Sequence, residues 1–202
     1  MTRSRNGFFA LVSRMKHIDR WALMRNSIRE NVQEHSHMVA VVAHALAVIR
    51  REIFGRPSDP GAAAAAALFH DAAEIFTGDM PTPVKYRSEV IKSAYGDIES
   101  EARERLLNSL PDSLRPSYES VLTYGGDAAD FVKAADKIAA YIKCLEELKA
   151  GNGEFTSAAE QTRGKIASLA MPEADYFMER FIPAFSLTLD ELAPIETSGD
   201  LI

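Results

Sequence analysis

Five residues able to bind a metal or move a proton fall where the surrounding pattern is apolar. His35 is in register with Val39, Val42, Leu46 and Ile49, the inward stripe of a helix. His70 and Asp71 are adjacent and follow six consecutive alanines, Ala62–Ala67, then Leu68 and Phe69. Glu74 lies four residues after His70 and three after Asp71, which on one helix places all three on neighbouring parts of a surface. Asp136 sits among Val132, Ala135, Ala139 and Ile142. A carboxylate on such a stripe is costly unless it is paired or bound to a metal. Two histidines and two aspartates form a mixed nitrogen and oxygen donor set, suited to Mn, Co, Fe, Ni or Zn, with an unfilled position that holds water.

Each residue alone says less. A lone histidine on an apolar face is more often a satisfied core residue, and a lone buried aspartate is more often paired, here with Lys133 or Lys137. The small residues before His70 tip the balance, because they let helices approach closely and leave room for an ion. His37, two residues after His35, points about 200° away on the helix and cannot share the ion. His17 and His44 read as surface or helix-packing residues. No histidine follows His70.

The elements that must position these groups are helices throughout. Phe8, Leu11, Val12, Met15 and Ile18 predict a first helix over about 6–18. Asn31 caps a second, with Glu34 in the reciprocal capping position, running to about Phe54 before Gly55. Asp59-Pro60 starts a third that carries His70 and ends before Gly78. Asp79-Met80-Pro81-Thr82-Pro83 is a turn, since two prolines bar a helix interior. Further helices are predicted over about 88–110 and 112–123. A long one follows, capped by Asp127 and reaching Ala150, and then two more over about 154–170 and 172–181. Strand alternation is absent, so the fold class is all-α.

The 202 residues fit one domain, 1–202, with about 186–202 a polar C-terminal tail. A net charge of −6 argues against a nucleic-acid polymer as partner, yet leaves room for a small anionic substrate held by a metal and a few arginines. One cysteine excludes an intramolecular disulfide and a cysteine-based zinc finger. The basic start, Arg3 and Arg5, precedes an apolar run too short for a signal peptide, and no apolar stretch approaches the roughly 20 residues of a membrane span. A soluble cytoplasmic protein is expected.

The order His35, His70-Asp71, Asp136 on a helical chain resembles the HD-domain metal-dependent phosphohydrolases. Further segments narrow the likeness. These are Asp19-Arg20-Trp21, Leu23-Met24-Arg25, Asn31–Ser36, Phe69–Glu74, Thr77–Tyr86, Lys143–Leu148 and Asp175–Glu179. Together they resemble the bacterial YfbR-type 5'-deoxynucleotidases over nearly the whole chain. Asp19 and Met80 depart from that family's pattern, conservatively for the chemistry. The resemblance implies a compact HD-domain helical bundle, usually a homodimer, and removal of phosphate from deoxyribonucleoside 5'-monophosphates in preference to ribonucleotides. It implies one divalent transition-metal ion, cobalt, manganese or similar, on His35, His70, Asp71 and Asp136. It also implies Glu74 as the catalytic carboxylate, with Arg20, Trp21, Asp79, Met80, Pro81 and Thr82 as substrate contacts.

Asp79 is also a candidate to protonate the leaving alkoxide, and Arg20 to grip phosphate with a forked contact. Trp21 is expected either to exclude a ribose hydroxyl by shape or merely to anchor the first helix. Two rival functions stand beside this one. The first is an HD hydrolase of another nucleotide phosphate ester, disfavoured because few basic residues beyond Arg20, Arg25 and Lys85 are expected near the site and a triphosphate would want more. The second is a nucleotide-binding HD protein without turnover, for which Glu74 would have no use.

Overall fold

The structure, a computed structural model, describes residues 6–193; Arg3, Arg5 and the tail beyond Ala193 lie outside the described residues. Eleven α-helices are present among them, with no strand beyond one isolated bridge, Asp19 to Asn31. The central layer is α2 (Val32–Glu52), α3 (Pro60–Leu68) and α8 (Gly126–Lys149), packed on one another. Val39, Ala43, Leu46 and Ala47 of α2 meet Ala63, Ala66 and Ala67 of α3 and Ala134, Ala135 and Ile138 of α8, all buried. Alanines on α3 carry no bulk, so α2 and α8 are drawn in close to it. That closeness brings His35, the His70 segment and Asp136 within reach of each other.

Local chemistry sets the boundaries. The Asn31 side chain accepts from the Glu34 amide while Glu34 returns a bond to the Asn31 amide, a full capping box. Asp59 caps α3, with Pro60 at its first position. Around the central layer lie α6 (Glu89–Leu107) and α7 (Arg115–Leu122), which share a second cluster with α1 (Phe8–Val12) through Phe8, Leu106, Leu107 and Leu122. On the other side α9 (Thr156–Ala167) packs on α8, and α10 (Pro172–Arg180) packs on α2. Buried Glu173 fixes α10 to α2 by pairing with Arg50 and Arg56, and Arg50 also lies over the Phe131 ring.

Three expectations need correcting. The first helix is short: α1 gives way at Ser13 to a 3-10 turn, Ser13–His17. The third helix does not carry His70. It stops at Leu68, and residues 69–73 form turns before α4 (Glu74–Thr77). Asp127 does not cap α8. Gly125 holds that position, and Asp127 pairs with Arg50 instead. Within the C-terminal tail, α11 (Leu189–Leu192) forms behind a Thr188–Glu191 capping box. The proline-rich turn does lack a long helix; it leads into one turn, α5 (Thr82–Lys85), with Pro83 in its first turn.

Candidate active site

A loop between the 3-10 turn and α2 supplies one wall. Its ends are tied by Val32 N–H to Ile18 C=O at 3.0 Å and by Arg20 N–H to Glu30 C=O at 3.0 Å. Its far end is bolted to α8. Glu147, fully buried, accepts from the Ser27 amide at 2.8 Å and the Ile28 amide at 3.1 Å. Lys143 donates to the Ile28 carbonyl and pairs with Glu147. Asn152 donates to the Arg25 carbonyl at 2.6 Å and to Glu147 at 2.8 Å. A carboxylate with that many donors is held well below its usual range: burial pushes it up, and Lys143, Asn152 and the two amides overcome it.

At the centre, His35, His70 and Asp71 each offer one ligand atom, and these atoms lie within 4.8 Å of one another. Asp136 joins through His35, its Oδ1 3.1 Å from Nε2. His35 comes from buried α2, Asp136 from α8, and His70 and Asp71 from the turn after α3. His70 Nδ1 is bonded to the Ala67 carbonyl at 2.8 Å, which assigns the ring proton to that nitrogen and aims Nε2 at the centre. Nε2 is buried and lacks a hydrogen-bond partner, although Asp71 Oδ2 is 2.9 Å away. A nitrogen lone pair and a carboxylate oxygen converging outside hydrogen-bond geometry suit a cation bound to both. The residues therefore fit a divalent metal ion. Burial raises the carboxyl of Asp71, but His70 and then His35 outweigh it and bring it down to about 2. Asp136 is likewise lowered against burial, by His35 first.

Glu74 stands at the start of α4, with Oε2 buried and unpartnered. Burial, then the Asp71 and Asp79 carboxylates, push it up to about 9, while Arg20 and Lys85 pull the other way. Asp79 is also raised, by burial first; the Trp21 backbone amide and Arg20 moderate the shift. Gly78, at φ +71°, turns the chain from α4 into Asp79 through a region L side chains rarely adopt. Arg20 Nη1 reaches Asp71 Oδ2 at 3.4 Å, and its side chain is only 11% exposed. Burial disfavours its charge, but Asp71 and then Glu30 raise its pKa.

Arg20, Trp21, His35, His70, Asp71, Glu74, Asp79 and Asp136 thus meet in one region. Met80 and Pro81 follow Asp79 half-buried, and Thr82 is exposed at the start of α5. His17, His37 and His44 are exposed, and Lys133 and Lys137 make no ion pair with Asp136, whose partner is His35. The Trp21 indole N–H is not free, since it donates to Glu30 at 3.0 Å, and its ring packs tilted against Phe155, centroids 5.3 Å apart. Two residues escaped the sequence reading. Glu30 carries no signal there, since the fold alone brings it to Arg20 and Trp21. Tyr124 stands before Gly125-Gly126 with no periodic pattern to mark it, yet its phenol is pushed up to about 12 by burial and by Asp71 and Asp136.

Helices carrying this histidine–aspartate constellation define an HD-domain phosphohydrolase fold. A solved HD-domain phosphohydrolase from Listeria innocua superposes with a TM-score of 0.77 at 23% identity, covering 88% of this chain and 87% of that one. The cyanophage S-2L HD phosphohydrolase, solved bound to dA and one catalytic Zn2+ ion, superposes with a TM-score of 0.64 at 21% identity, covering 86% and 95%. The 5'-deoxynucleotidase YfbR-like family model matches residues 7–185, and the chain belongs to that family. A 5'-deoxynucleotidase of Klebsiella pneumoniae is 47% identical over 94% of this chain and 97% of its own length. The 5'-deoxynucleotidase YfbR of Shigella boydii is 46% identical over 92% and 95%. Among the described residues no helix is long and apolar enough to cross a membrane.

Proposed function

We propose that this protein hydrolyses deoxyribonucleoside 5'-monophosphates to deoxynucleoside and phosphate, with one divalent metal ion on His35, His70, Asp71 and Asp136. The observation that carries it is the unpartnered His70 Nε2 converging with Asp71 Oδ2 beside an unpartnered Glu74 Oε2. The names of its relatives and the dA-bound phage neighbour support the substrate class.

A divalent ion bound there supplies a polarised phosphate oxygen, an acidified water and a positive charge that draws Glu74 toward its ionised form. Glu74 then takes the proton of the attacking water at Oε2. Attack runs in line with the departing 5' oxygen. Asp79, at the head of the turn after Gly78, gives a proton to that oxygen. Arg20 offers its Nη edge to the phosphate, beside the Asp71 oxygen it already approaches. Trp21 walls the sugar, and the Asp79–Thr82 turn supplies further substrate contacts. Because its N–H is committed to Glu30, the indole shows a ligand only carbon surface, which rejects a ribose hydroxyl. A homodimer is the expected assembly.

Phosphate release from dAMP, AMP and dATP, each with and without added Co2+ or Mn2+, tests this reading. It requires metal-dependent release from dAMP that exceeds both other substrates. Equal release from dATP, or release unaffected by a chelator, overturns it.

A further inference from the structure

One oxygen of Glu30 serves two neighbours. Its Oε2 accepts from Arg20 Nε at 3.1 Å and from Trp21 Nε1 at 3.0 Å. Its carbonyl accepts the Arg20 amide as well. Adjacent residues in extended chain point to opposite sides, so two consecutive side chains reach one acceptor only if the backbone turns between them. It does: Trp21 has φ +59°, a left-handed conformation that is uncommon for a bulky residue. Such strain persists where surrounding contacts over-determine it. Here they are Glu30 and Phe155.

The consequence for Arg20 is directional. Guanidinium has an Nε edge and an Nη edge in one rigid plane. Glu30 occupies the first, so the second is left to face Asp71 Oδ2, the oxygen closest to His70 Nε2. The Glu30 side chain is 16% exposed, so water competes little for the pair.

We infer that Glu30 is a positioning residue: one carboxylate oxygen sets the orientation of both the phosphate-facing arginine and the sugar-facing tryptophan. This rests on the deoxynucleotidase reading for what the two side chains do, but not for the arrangement itself. Glu30 touches no reacting atom. It acts through Arg20 and Trp21, on ground-state binding.

Trp21 is the only tryptophan in the chain, so its emission reports on this contact without any substrate. Three variants separate geometry from charge. Glu30→Gln keeps an acceptor oxygen at the same reach, Glu30→Asp keeps the charge but withdraws it by one methylene, and Glu30→Ala removes both. Acrylamide quenching of Trp21 should rise about twofold or more in the Ala and Asp variants and stay near wild type in Gln, since the acceptor's reach, not its charge, holds the indole N–H. In the metal-loaded enzyme, KM for dAMP should rise by about tenfold or more in Ala and Asp with kcat within about threefold, the pattern of lost uniform binding. The Gln variant should recover most of that loss. Unchanged quenching in Ala and Asp, with helical circular dichroism intact, overturns the inference, and so does a loss confined to kcat. If Glu30→Ala does not fold, the Gln and Asp pair decides by the same criteria. A wild type that releases no phosphate from dAMP defeats the activity reading. The quenching arm, run without nucleotide, still decides the position of Glu30.

Discussion

Asp136 Oδ1 lies 3.1 Å from His35 Nε2, so α8 and α2 meet at the centre through a carboxylate and an imidazole. Removing the carboxylate leaves the ring in place but strips one donor from the set. In Asp136→Ala, metal affinity should weaken by at least the roughly 10–100-fold typical of losing an outer-shell partner, and turnover should fall with it. Metal analysis of purified protein checks this. Two ions per chain in the wild type, or full occupancy in the variant, would show that the ligand set is misassigned.

Glu74 has a different signature, because the proposed mechanism sends the water's proton to its unpartnered oxygen. Glu74→Ala should retain metal and dAMP binding while kcat drops by about 10²-fold or more. Equilibrium dialysis and single-turnover kinetics separate the two effects. Loss of the metal would make Glu74 a ligand, and near-normal turnover would make it a bystander.

Trp21 should govern the choice of sugar. A ribose hydroxyl stranded against carbon surface loses about 1–3 kcal/mol, roughly ten- to a hundredfold in rate ratio. Trp21→Ala should therefore lower the dAMP to AMP ratio of kcat/KM toward unity by that factor. If both substrates lose activity in equal proportion, the ring serves the fold through Phe155, and selection lies in the Asp79–Thr82 turn.

Acid should loosen the loop that Glu147 holds. Its carboxyl is depressed in the folded state, so its contribution is complete above the unfolded value of about 4.3 and declines as pH falls below it. Glu147→Gln should cost about 3–5 kcal/mol at pH 7, the price of leaving Lys143 buried without its partner. The variant should also show a flatter fall in stability below pH 4 or so than the wild type. Urea titrations from pH 7 downward measure both. An unchanged acid slope would place the loop's stability elsewhere.

Much of this was visible in residue types and spacing. The Asn31–Glu34 box, the Asp59-Pro60 start and the inward stripe of His35 depend on local rules, and they appear as expected. The sequence carries the third helix on through His70 because alanine and leucine favour helix right up to Leu68, and no glycine or proline marks its stop at Phe69. Asp127 was misread as a cap because Gly125 takes that place and Arg50 claims the carboxylate from another helix. Glu30 was invisible for a similar reason. Its partners are ten and nine residues away, brought to it by a left-handed tryptophan that no propensity rule anticipates.

Asp136, Lys143 and Glu147 share one face of α8, and the helix rises about 1.5 Å per residue. The interval from the centre to the loop's anchor is therefore fixed by covalent geometry at about 10 Å from Asp136 to Lys143, as on the shank of a calliper. One residue inserted between them would swing Lys143 and Glu147 by about 100° and release Ser27 and Ile28. The same insertion beyond Asn152 would leave that interval untouched. This stretch of the chain can exchange side chains, but it cannot change its length.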